Sequence, residues 1–187
     1  MDKKTFPEEI FSERIVLRKH KIEVAASMFK YVNRDRARLG RFLPWVPFIR
    51  EVEDEKKYIE STHEKWEQGT MFDYGLFRKE DDIYMGNVGI HTIHWDHEHL
   101  ELGYWILGDY EGKGYIAEAV RALEKVAFDL GFQRIEIRCD TANARSAAVP
   151  QNCGYVKERH FRKHAKDKDG NLHDTLIFAK IRDDIKS

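Results

Sequence analysis

The chain is poor in cysteine: it has two, Cys139 and Cys153, with no Cys-x-x-Cys spacing. That favours a reduced, cytoplasmic setting over a disulfide framework. Net charge is also nearly absent. Lys plus Arg is 32 and Asp plus Glu is 33, which leaves −1, so no global basic excess asks for a nucleic-acid partner. No apolar run approaches the roughly 18 residues of a membrane span, so no membrane partner is expected. The opening MDKKTFPEEIFSERI lacks the apolar segment of a signal peptide. Repeats and low-complexity segments are missing too. A length of 187 residues predicts one domain spanning the chain, large enough to bury a core without staples.

One dense stretch stands against these absences: ELGYWILGDYEGKGYIAEAVRALEKVAFDL, from Glu101 to Leu130. Leu100 to Leu107 reads as a strand. Gly108 to Gly114 reads as a turn. Ile116, Val120, Leu123, Ala127 and Leu130 fall three or four apart, which predicts a helix over Tyr115 to Leu130. Gly131 is a natural C-terminal stop. A strand, a glycine turn and a helix N-terminus suit an anion, because the first helical N–H groups lack partners and the helix dipole adds positive charge. Gly112 and Gly114 allow close backbone approach.

Elsewhere the coarse order reads βααβββαβαββ. Arg14 to Arg18 is the first strand, and Val24 to Asn33 a helix by apolar spacing. The segment GRFLPWVPF, Gly40 to Phe48, carries two prolines and cannot be a continuous helix. It reads either as a hydrophobic loop over the core or as one wall of a pocket mouth. Glu53 to Gln68 is a charged amphipathic helix ended by Gly69. Met71–Arg78 and Ile83–Ile93 form a hairpin, with Gly86 and Gly89 marking a bulge or close backbone approach. Gln133 to Cys139 is a strand, Arg145 to Cys153 a short helix, His160 to Lys168 a basic polar stretch, and Leu172 to Ile181 the last strand. His91, His94, His97 and His99 invite a metal reading. They sit in and beside a polar turn with Asp96 and Glu98 rather than on a rigid frame, so no metal is expected.

The strand LELGYWIL, the turn GDYEGKGYIAEA and the segment NARSAAVPQNCGY together resemble the GNAT acetyltransferase superfamily, within it the ribosomal-protein N-terminal acetyltransferase (Rim-type) branch. FLPW at Phe42–Trp45, RIEIRCDTAN at Arg134–Asn143 and GN-x-x-D at Gly170–Asp174 extend the likeness from about Arg14 to Ile181. It implies an α+β fold: a mixed, strongly twisted sheet of about seven strands flanked by helices. It also implies acetyl-coenzyme A as cosubstrate. The family signature Gln/Arg-x-x-Gly-x-Gly/Ala falls on Glu111, Gly114 and Ile116, so its two ends depart. Glu111 should not help hold a phosphate; Gly112 and Lys113 partly compensate. By resemblance, Trp105, Ile106 and Leu107 offer backbone groups to the pantetheine arm. Gly112, Lys113, Gly114, Ile116 and Ala117 cradle the phosphates, and Asn143 and Ser146 bind near sulfur. Phe42 and Trp45 border the acceptor mouth. Relatives often form dimers, which implies a homodimer.

The implied reaction is acyl transfer from a thioester to an amine, which needs a neutral amine and a protonated leaving thiol. At pH 7, neutralising an α-amine costs about 1–1.4 kcal/mol and neutralising a lysine about 4.6. An α-amine therefore needs only a weak base. Glu136 is the first candidate, with a raised pKa if buried between Ile135 and Ile137; Glu101 is the second. Some relatives protonate the thiolate with a Tyr where this chain has Pro150, which leaves Ser146 as donor. Cys139 and Cys153 read as core thiols. Three acceptor readings stay open: the leading one is a protein N-terminal α-amine, ribosomal proteins being one such class; the others are a small amine such as a polyamine, amino acid or aminoglycoside, or no acceptor, in a non-catalytic acetyl-coenzyme A-binding regulator.

Overall fold

The computed structural model describes residues 4–167 and 169–185. Its strands are β1 Glu9–Phe11, β2 Ile15–Lys19, β3 Phe72–Arg78, β4 Tyr84–His94, β5 His99–Ile106, β6 Arg134–Asp140, β7 Val156–Lys166 and β8 Leu172–Ile181. Its helices are α1 Ala25–Arg34, α2 Arg36–Leu39, α3 Val52–Gln68, α4 Tyr115–Asp129 and α5 Ala144–Asn152. One sheet runs β1-β2-β3-β4-β5-β6-β8-β7. Every neighbouring pair is antiparallel except β5 and β6.

Among the described residues the sheet has eight strands, one more than the sequence pattern predicts. The extra strand is β1, whose three residues carry too little pattern to read; it is held by pairing with β2, Ile10 opposite Leu17. The basic stretch from His160 lies in β7 as far as Lys166, where pairing with β8 overrides its polarity. Lys168 lies outside the described residues. The short helix α2 was not anticipated.

Local chemistry explains the helix ends. Glu51 and Asp54 form a reciprocal capping box at the start of α3. Gly69 closes that helix in the left-handed conformation, φ 66°. Along α3, Glu55, Ile59, Thr62 and Trp66 are buried, so the core-facing stripe begins with an acid. Gly114, at φ 80°, turns the chain into α4. Gly86 is forced by packing: a Cβ there would lie 2.2 Å from the Trp105 carbonyl oxygen.

The parallel pair β5–β6 is what opens the molecule. The two strands pair from His99–Arg134 to Leu102–Ile137 and then part. Meanwhile β5 stays on β4 to Ile106, opposite Gly86, and β6 stays on β8 to Asp140, opposite Thr175. The wedge between Gly103–Ile106 and Arg138–Asp140 is bridged by α5, where the Tyr104 hydroxyl donates to the Ser146 carbonyl at 2.8 Å.

Candidate functional site

Two cavities open off this wedge. The first, about 580 Å³, runs along the second half of β5 to the N-terminus of α4 and the side of α5. The second, about 530 Å³, lies between the sheet and the segment joining α2 to α3. Both volumes fall in the range of small-molecule sites. The cavities share Phe42, Leu43, Tyr104, Trp105, Asn143 and Ser146.

Of the residues the sequence nominated for the cofactor, Trp105, Ile106, Gly112, Gly114, Ile116, Ala117, Asn143 and Ser146 line the first cavity. A Cβ on Gly112 would meet nothing within 4 Å, and one on Gly114 only Arg14 Nη2 at 3.5 Å, so the cradle is open on its ligand side. Gly112 and Gly114 both have positive φ, 71° and 80°, which glycine adopts without strain. The residues present therefore fit a pyrophosphate held by backbone N–H groups. Leu107 and Lys113 do not line the cavity. The Leu107 side chain is buried and its N–H donates to the Met85 carbonyl at 2.8 Å. Lys113 Nζ donates to the Asp109 carbonyl at 2.8 Å, which turns its charge away from the cradle.

The positive charge at this end comes from Arg38 and Arg145 instead. The Glu111 carboxylate takes one guanidinium on each oxygen. Arg38 also pairs with Asp35 and donates to the Ile106 carbonyl at 2.6 Å, and Asp35 accepts from Gly108 N–H at 2.8 Å. Glu111 thus organises two arginines rather than standing as a bare acid beside the phosphates. Sequence reading missed both arginines, because α2 and α5 meet Glu111 only in the folded chain.

At the junction, Asn143 caps α5 by accepting from Ser146 N–H at 3.1 Å. Ser146 Oγ lies 3.5 Å from the Tyr104 hydroxyl. Burial holds Tyr104 well above the usual phenol pKa, so it keeps its proton. Pro150 is buried on the inner side of α5. Tyr104 supplies a hydroxyl at the junction from β5 instead, a residue passed over because it alternates like any strand tyrosine.

In the second cavity Phe42 and Trp45 form part of the wall. Trp45 tilts against Trp105 with ring centroids 5.6 Å apart. Glu101 and Arg138 line it; Glu136 does not. The expected rise in the Glu136 pKa is overturned. Burial alone would raise it, but Arg134 donates to it at 2.8 and 3.0 Å and Arg138 at 3.2 Å, and these hydrogen bonds and charges hold it below its ordinary value. Glu101, its parallel-strand partner, has one cation, Arg138 Nε at 3.1 Å. Burial lifts its pKa, Arg138 opposes, and the Glu136 charge adds to the rise.

His91 stands directly across from Glu101 on β4 and also lines this cavity. A Cβ on Gly103 would come within 2.8 Å of its Nε2. Burial lowers its pKa, which keeps the ring neutral near pH 7. His94 instead stacks on His99, centroids 4.8 Å apart. Among the described residues no three His, Cys, Asp or Glu side chains converge to hold a metal. Cys139 also borders the second cavity. Burial pushes its thiol up to about 11, so it carries little thiolate. No described helix is long and apolar enough to cross a membrane.

The arrangement has the parts of an acyl-transfer site: an anion cradle, a junction with two hydroxyls, and a carboxylate in an adjoining cavity. The acetyltransferase (GNAT) domain family matches residues 14–156. The probable N-acetyltransferase YjcK of Bacillus subtilis is 32% identical over 71% of this chain and 74% of its own length. The ribosomal-protein-serine acetyltransferase of Escherichia coli is 25% identical over 83% of this chain and 86% of its own. Among solved structures, RimL, a ribosomal alpha-N-protein acetyltransferase in complex with coenzyme A, superposes with a TM-score of 0.87 at 22% identity, covering 93% of this chain and 98% of that one. With a family match over most of its length and the cleft in place, this chain belongs to the acetyltransferase (GNAT) family, enzymes that move an acetyl group from acetyl-coenzyme A to an amine.

Proposed function

We propose that this acetyltransferase acts on the N-terminal α-amine of a protein, a ribosomal protein being the foremost class, and that acetyl-coenzyme A occupies the first cavity. The named activities of the ribosomal-protein-serine relative and of RimL support the acceptor class. One observation carries the reading: the two cavities meet at Tyr104 and Ser146, and Glu101 lines the second one. A carboxylate with a raised pKa is enough base for an α-amine, and a lysine, with its higher pKa, asks for more.

When bound, acetyl-coenzyme A supplies an acetyl group activated as a thioester. The chain's own groups do the rest. The Gly112–Ala117 backbone and the α4 dipole hold negative charge. Glu101 accepts a proton from the incoming ammonium. Ser146 presents a hydroxyl where thiolate charge develops, Tyr104 joins it by turning its hydroxyl from the Ser146 carbonyl, and in a partly dry site such donors are worth more than in water. Neutral His91 leaves the path free of a competing cation. Phe42 and Trp45 shield the junction from water. A cytoplasmic location goes with this acceptor.

The test is release of free thiol from acetyl-coenzyme A with N-terminal peptides, their N-blocked lysine-bearing controls, and small amines. Turnover with free N-terminal peptides is the expected result. Turnover with small amines alone would defeat the reading.

A further inference from the structure

The second cavity contains an acid that the transfer step does not use. Glu55 lines it from the first turn of α3 and is 2% exposed. Its Oε1 is buried without a hydrogen-bond partner among the described residues. The other acids of this cavity are all engaged. Asp73 accepts from the Tyr58 hydroxyl at 2.6 Å and Asn87 Nδ2 at 3.0 Å and sits 2.8 Å from His20 Nε2. Glu101 has Arg138, and Asp140 has His173 Nδ1 at 2.8 Å. Among the described residues Arg138 is the only Lys or Arg lining the cavity. Met28, Trp45, Ile49 and Met71 give it apolar walls. An unpaired buried acid costs stability, so an orphan carboxyl facing a cavity points to a ligand that completes it.

We propose that Glu55 is a specificity subsite for the acceptor: it receives a protonated nitrogen carried at the end of an alkyl arm, in addition to the amine that is acetylated. The apolar walls take the methylenes, and Trp45 and Tyr58 add aromatic faces to the same cavity. The arm is a basic side chain near an acceptor's N-terminus, or the far end of a diamine. This inference rests on the second cavity being the acceptor site.

The charged and titratable groups that act on Glu55 are His20 from the loop after β2, Arg36 of α2, Asp54 of its own helix, Tyr58 and Tyr84 of β4, with Asp73 of β3 acting on both tyrosines. Burial raises the Glu55 carboxyl to about 7, so it gains charge across the neutral range. A lysine side chain stays protonated throughout that range.

The experiment measures kcat/KM for peptides differing only in one residue near the N-terminus, lysine against norleucine against serine, and for an alkyl diamine against the monoamine of equal length. Wild-type protein is compared with Glu55→Gln. The expected preference for lysine over norleucine is about tenfold, worth one paired charge. It should fall below about threefold in Glu55→Gln. A preference seen only in the diamine pair supports the subsite and defeats the protein acceptor instead. Equal use of lysine and norleucine, a Glu55-dependent preference for serine, or a lysine preference unchanged in Glu55→Gln would each overturn the proposal. If Glu55→Gln does not fold, the wild-type ratio decides by itself. It should rise between pH 6 and 8.5, in His20→Gln as well, which removes the one imidazole of that set; a flat ratio overturns the proposal.

Discussion

Replacing Glu101 with glutamine tests the proton-transfer role directly. The change keeps the shape of the side chain and removes the base. Arg138 loses its 3.1 Å partner but keeps Glu136 at 3.2 Å, so no cation is orphaned. The Arg138 side chain is 37% exposed, so the lost pair costs stability no more than about 1 kcal/mol. The kinetic cost is larger. A positioned base contributes about 10²–10⁴ in rate. An α-amine with pKa near 8 is already roughly one-tenth neutral at pH 7, so the loss belongs at the low end. The expected fall in kcat/KM is roughly 100-fold, or about 2.7 kcal/mol of barrier. At pH 9 the amine is about nine-tenths neutral, and roughly tenfold of the deficit should return. The assay is thiol release from acetyl-coenzyme A with an N-terminal peptide across pH 6 to 9.5. A variant within twofold of wild type at pH 7 would refute the assignment, as would a deficit that does not shrink with rising pH. Glu136→Gln is the internal comparison. Its carboxylate serves Arg134 and Arg138, so it should lose stability more than rate.

Tyr104→Phe removes a hydroxyl at the junction of the cavities. It should lower kcat by about 10- to 100-fold with little change in KM for acetyl-coenzyme A; an unchanged kcat would remove Tyr104 from the thiolate side. Gly114→Glu should abolish coenzyme A binding by calorimetry, because a carboxylate then occupies the cradle, while the left-handed backbone at φ 80° costs about 1–2 kcal/mol of fold stability. Binding at wild-type affinity would displace the phosphates from this turn. Glu55→Gln should change thermal stability in a pH-dependent way. The Glu55 carboxyl is raised from 4.5 to about 7 in the fold, so its favourable neutral state is fully present below pH 4.5 and is lost as pH rises through 7. The variant should therefore match wild type near pH 4.5 and exceed it at pH 8, by about 3 kcal/mol at most; equal stability at both pH values would contradict the raised carboxyl.

The sequence by itself determined the features set by neighbours along the chain. The periodicity of Ile116, Val120, Leu123 and Ala127 is enough to write α4, and Gly112 and Gly114 before it mark the turn that leads into its N-terminus. The hairpin of β3 and β4 and the final strand Leu172–Ile181 were readable for the same reason: alternation and turn residues act locally. Charge partners are not local, and there the tertiary structure decided. Glu101 and Glu136 look alike in sequence, each an acid in an apolar strand. Only the register of β5 on β6 sets them side by side, and only the positions of Arg134 and Arg138 leave the Glu101 carboxyl with a raised pKa and hold that of Glu136 down. Glu111 reads in sequence as no help to a phosphate, and only the fold shows α2 and α5 bringing Arg38 and Arg145 to it. Glu55 does fall on the stripe of Ile59, Thr62 and Trp66. Spacing alone marks it as buried. That its Oε1 is buried without a hydrogen-bond partner among the described residues, in a side chain lining a cavity shared with Glu101, follows from the packing of α3 on a sheet whose strands have parted.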